Sequence, residues 1–133
     1  MSEPILNPPY WVQRYQSVIN QHKPLHHAIY KCGNADDWQR IESQHRRVLA
    51  QYVLPNDSVL DVGCGWGRLA YLLPTTWRGD YLGIDITPEF LSIAQQNHPD
   101  LDFARCDVSN VSQFMEEYEQ RNHVESGKWD WAV

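Results

Sequence analysis

Long apolar runs are missing from this chain. Nothing in its 133 residues approaches the roughly eighteen consecutive apolar residues of a membrane span, and no basic-then-apolar leader opens it. The expectation is a protein with neither signal peptide nor membrane span. Cysteine is scarce: Cys32, Cys64 and Cys106 are odd in number and have no C-x-x-C spacing, so a reduced, cytoplasmic compartment is favoured over a disulfide framework. Basic residues are outnumbered, 11 Lys and Arg against 17 Asp and Glu, for a net charge of −6. A general phosphate-binding surface wants a positive field, so nucleic acid is not the expected partner, although a small basic patch stays open. Internal repeats and low-complexity tracts are absent. Aromatic residues are abundant. Six tryptophans and seven tyrosines supply the apolar area for one domain with a modest core.

The most informative passage is Val59-Leu60-Asp61-Val62-Gly63-Cys64-Gly65-Trp66-Gly67-Arg68. A short apolar run ends in a carboxylate and opens into glycines at alternate positions. This predicts a buried parallel strand running into a loop where the backbone comes close to a ligand. Helix-forming Arg68-Leu69-Ala70-Tyr71-Leu72-Leu73 follows, and nucleotide-like cofactors bind at such strand–loop–helix junctions. The dinucleotide fingerprint G-x-G-x-x-G is not met, because Arg68 stands where its third glycine would fall. Asp61 would repel a pyrophosphate and suits a ligand carrying an ammonium or sulfonium group.

Two further strand ends follow the same plan. Tyr81-Leu82-Gly83-Ile84-Asp85 reads as a second strand ending in a carboxylate able to accept from both hydroxyls of a ribose, with Ile86 placed to pack on a purine. A third apolar run, 101–104, leads to Arg105-Cys106-Asp107-Val108. There Asp107 could accept from an adenine amine and the backbone N–H near Val108 could donate to the ring. A lone Asp at a strand end is commonly a helix cap; three at successive strand ends favour a ligand.

With these motifs in place, the sequence resembles the class I S-adenosylmethionine-dependent methyltransferases, through 59–68 for the glycine-rich motif, 81–86 for the ribose motif and 103–108 for the adenine motif. The resemblance covers roughly residues 37–133. It implies an α/β, Rossmann-like parallel sheet of about four strands in the order 3-2-1-4, flanked by helices, with S-adenosylmethionine as cofactor. It places Asp61, Gly63 and Gly65 about the methionine moiety, Asp85 at the ribose, and Asp107 with Val108 at the adenine, with Cys64, Gly67 and Ile86 as further cofactor-binding positions. In many related enzymes an N-terminal helix lies over the cofactor, and Arg14 is the residue there that could pair with the methionine carboxylate.

Along the chain, a helix is expected over 7–21 with Asn7 as cap, and another over 36–52 with Trp38, Ile41, Val48, Leu49 and Tyr52 on one stripe. Residues 1–53 thus form an N-terminal helical segment, and 54–133 the cofactor-binding half of the domain. Thr87-Pro88-Glu89 caps a helix to about Asn97. A last helix starts at Ser109 or Asn110 with Val111, Phe114, Met115 and Tyr118 facing the core, 119–127 is a connecting loop, and 129–133 alternates as a fourth strand. The sequence stops inside that strand, where the family's fold continues for about three more. Its open edge makes association through the fourth strand an expectation.

Several signals are set aside. Asn7-Pro8-Pro9-Tyr10 spells a motif of amino-DNA methyltransferases, but only six residues precede it, and it is read as a helix start. His22, His26, His27 and Cys32 lack zinc-type spacing, so no metal is expected. Cys64 reads as a packing residue, not a nucleophile. The expected function is methyl transfer to an unidentified nucleophile, with a small molecule favoured as substrate and no catalytic base assigned. The alternatives are a non-catalytic cofactor-binding or assembly module and, opposed by Asp61 and Arg68, a nicotinamide-dependent oxidoreductase.

Overall fold

A computed structural model describes residues 35–123 and 128–133, together with the helical Gln13 and Ser17. The expected first helix over 7–21, its Asn7 cap, Arg14 and the His22–Cys32 group otherwise lie outside the described residues. The chain forms two compact units, 1–44 and 45–133. Helix α1 (Ala35–Tyr52) opens on Asp36 and Asp37, whose charges complement the positive end of the helix dipole. It is followed by β1 (Val59–Val62), α2 (Arg68–Leu72), β2 (Tyr81–Asp85), α3 (Pro88–Asn97), β3 (Asp102–Arg105), a 3₁₀ turn over Val108–Asn110, α4 (Val111–Arg121) and β4 (Trp131–Ala132).

All strand pairs are parallel and the order is β3-β2-β1-β4, as the family resemblance implied. Strand alternation divides the core between two faces. Val59 and Tyr81 face a cluster with Val53, Leu73 and Trp77, joined by Leu49, Leu69 and Phe103. Leu60, Leu82 and Ile84 face the other cluster with Cys106, covered by Val111, Phe114, Met115 and Tyr118. The expected core stripe of α4 is therefore present.

Three expectations need correction. In α1, Val48 and Tyr52 are 53% and 56% exposed, while Leu49 packs into the core beside Val53. One hundred degrees per residue separates the 48/52 column from the 49/53 column, and the sheet reaches only the second. The fourth strand is shorter than 129–133. Trp129 packs into the second core cluster, and Asp130 bends to hook Ser58: its Oδ2 accepts from the Ser58 N–H at 2.8 Å, and its own N–H donates to Ser58 Oγ at 3.0 Å. The ladder to β1 runs on through Val133, whose N–H donates to Leu60 O at 2.9 Å. Lastly, α4 continues to Arg121, past the expected start of the loop at Glu119.

Candidate functional site

The site lies where β1, β2 and β3 end. Gly63, Gly65 and Gly67 have φ of 74°, 56° and 92°, the left-handed region that costs an L side chain most. Alternating left-handed residues fold the loop back on the sheet, so that Gly63 N–H and Cys64 N–H both donate to Ile84 O, at 2.8 and 3.0 Å. Trp66 meets Phe90 of α3 edge-on, with ring centroids 5.6 Å apart, and pins the loop from that side.

Asp85 ties the three strand ends together. Its Oδ2 accepts from Gly65 N–H at 2.9 Å and its Oδ1 from Thr87 N–H at 2.8 Å. Its carbonyl accepts from Cys106 N–H at 3.0 Å. Thr87 begins α3 by position only. Its hydroxyl makes no cap bond and is buried without a partner, which corrects the expected capping role.

Asp61 does not open to solvent. It is 5% exposed, and its Oδ2 accepts from the Tyr81 hydroxyl at 2.7 Å. Burial pushes its carboxyl up to about 6, against the pull of the Tyr81 bond and the Arg68 charge, with Asp85 adding a smaller upward push. Burial also pushes the Tyr81 phenol up, so it stays a donor. The sequence reading missed this partnership. Tyr81 and Gly83 share one face of β2, and Gly83 is the register partner of Asp61. The phenol passes over Gly83 to reach the carboxylate; a Cβ there would lie 2.9 Å from the Tyr81 hydroxyl. The alternation Tyr-x-Gly beside a strand carrying Asp was the available signal.

Asp107 caps the 3₁₀ turn, as the bland reading of such residues has it: its Oδ1 accepts from Ser109 N–H at 3.0 Å and Ser109 Oγ at 2.9 Å, which hold its carboxyl below the usual range. Val108 is an exposed apolar side chain beside it, and Ile86 is half-buried at the end of β2. Cys64 is buried, and burial pushes its thiol up, as befits a packing residue. Arg68 Nη1 lies 2.9 Å from His45 Nδ1. No group of three or more metal-ligating side chains occurs among the described residues, and no helix among them is long and apolar enough to cross a membrane.

A glycine loop at the carboxyl end of the first strand, clasped by an acid at the end of the second, defines a Rossmann-like cofactor-binding fold. The comparisons narrow the class. Residues 59–123 match the methyltransferase domain family. The chain is 28% identical over 98 residues to the cyclopropane-fatty-acyl-phospholipid synthase of Escherichia coli, covering 70% of this chain and 24% of that protein. It is 47% identical over 49 residues to a ribosomal protein L11 methyltransferase of Burkholderia thailandensis, covering 37% of this chain and 16% of that one. A solved TehB-like S-adenosylmethionine-dependent methyltransferase from Corynebacterium glutamicum aligns over 74% of this chain and 44% of its own, with a TM-score of 0.44 and 24% identity. The match thus spans about a quarter or less of these curated relatives. The similarity to the methyltransferase domain family thus lies in residues 59–123, the segment that carries the glycine loop and the first three strands of the Rossmann-like sheet.

Proposed function

We propose that this chain supplies the cofactor-binding part of an S-adenosylmethionine-dependent methyltransferase, with 54–133 as the binding half and 1–53 as an N-terminal helical segment. One observation carries the reading: Gly63 and Gly65 are left-handed, and a Cβ on either would meet nothing within 4 Å. The loop therefore leaves open space on the side where a ligand would lie against bare backbone.

The remaining groups fit the cofactor's chemistry. Asp85 has lone pairs beyond those taken by Gly65 and Thr87, and ribose hydroxyls can donate to them. Both Ser109 bonds fall on Oδ1 of Asp107, so its Oδ2 suits an exocyclic amine. Ile86 and Val108 offer apolar contact to a purine, Cys64 packs within the loop, and Asp61 lends negative potential to a cationic methionine end. When bound, the cofactor supplies an electrophilic sulfonium methyl. The protein holds it in place, excludes water and orients the acceptor. Arg14 is proposed for the methionine carboxylate, a small molecule as methyl acceptor, the cytoplasm as compartment, and the β4 edge as the surface through which copies could associate.

Isothermal titration with S-adenosylmethionine and S-adenosylhomocysteine tests this. Both should bind, and Asp85→Asn should weaken both about tenfold or more, since a hydrogen bond to a charged group is worth about 1.5–3 kcal/mol. A folded chain that binds neither would overturn the proposal.

A further inference from the structure

The three loop glycines do not share one purpose. Gly63 and Gly65 face open space, but a Cβ on Gly67 would lie 2.9 Å from Cδ2 and 3.2 Å from Nε2 of His98. The room that Gly67 leaves is already filled, by the imidazole at the end of α3. His98 is held there from several sides. Its N–H donates to Ala94 O at 2.9 Å, and its ring lies tilted against Phe103, with centroids 6.4 Å apart. Burial lowers the His98 pKa, against a smaller upward pull from the Gly67 backbone beside it. The Gly67 carbonyl accepts from Tyr71 N–H at 3.0 Å, which closes the first turn of α2. One side chain thus bears on the last loop residue and on the start of the following helix.

We infer that His98 is a positioning residue for the cofactor loop, and that Gly67 is a glycine because His98 occupies its side-chain space and not because a ligand does. The inference rests on the proposed cofactor reading. Its role is steric: the ring fills the space beside Gly67 and packs on Phe103. Gly63 and Gly65 are left to face the ligand.

A double-mutant cycle read by S-adenosylhomocysteine titration tests it, with thermal melts to confirm folding. Gly67→Ala should weaken binding markedly in the wild-type background and less in the His98→Ala background, where the clash is gone and only the left-handed φ penalty persists. Gly65→Ala should cost the same in both. His98→Ala by itself empties the space beside Gly67; it should weaken binding about threefold to tenfold and speed amide exchange at Gly67 in the ligand-free protein. Equal costs of Gly67→Ala in both backgrounds would overturn the inference. So would His98→Ala with unchanged affinity and exchange, which decides the matter if Gly67→Ala does not fold. A wild-type chain that binds no S-adenosylhomocysteine would instead sink the cofactor reading, while the exchange measurement would still judge the role of His98.

Discussion

Replacing Asp61 by Asn should change how stability depends on pH, by an amount the structure allows to be worked out. The Asp61 carboxyl rises from 3.8 to about 6 on folding because it is removed from water. At about 1.4 kcal/mol per pH unit, this corresponds to about 3 kcal/mol. A raised carboxylate pKa means that the folded state holds the proton more tightly than the unfolded state. The stability linked to that proton is therefore fully present below about pH 3.8 and is lost as pH rises through about 6. Between pH 4 and 7, wild-type protein should lose about 3 kcal/mol from this residue, and Asp61→Asn should not. His98, whose pKa is lowered on folding by burial, contributes with the opposite sign, but it is common to both chains and cancels in their difference. Asp107 and Asp130, both lowered from 3.8, act below the window. Urea unfolding at each pH, followed by tryptophan fluorescence, gives the two curves. Parallel curves would refute the argument that Asp61 is a buried, desolvated acid.

The Tyr81 hydroxyl should matter most when Asp61 is charged. Tyr81→Phe is expected to cost about 1.5–3 kcal/mol at pH 8 and much less at pH 4, read by the same unfolding series. Gly83→Ala places a methyl 2.7 Å from Phe103 Cδ1 and 3.0 Å from Cys64 Sγ. It should destabilise by about 1–3 kcal/mol, visible as a lower urea midpoint at unchanged slope. Ser58→Ala removes the oxygen that receives the Asp130 N–H. It should cost about 1–2 kcal/mol and raise amide exchange at Trp131 and Val133 before that at Leu60. The Cys64 thiol should react with a thiol-exchange reagent at the rate of unfolding, because burial keeps it protonated.

What the sequence determined by itself was whatever local pattern controls. The apolar run 59–62, the glycines after it and the acid closing 81–85 are short-range features, and each folds as read. The periodicity of Val111, Phe114, Met115 and Tyr118 was equally legible, because a helix presents one face every 3.6 residues whatever lies opposite. The resemblance to a family added the strand order, which no single segment encodes. Tertiary structure decided which partner each group found. Asp61 lies two residues before the loop in sequence, yet strand register gives it to Tyr81, over the gap left by Gly83. Asp107 is the local exception, its Oδ1 going to Ser109 two residues on, because a nearby N–H is the cheapest partner for an exposed carboxylate. Gly67 looked like Gly63 and Gly65 until α3 brought His98 to its side. Residues 58 and 130 meet because parallel strands place distant ends side by side. Patterns of two and 3.6 residues are written in the chain. Contacts across twenty or seventy residues depend on register and packing, which exist only once the sheet has closed.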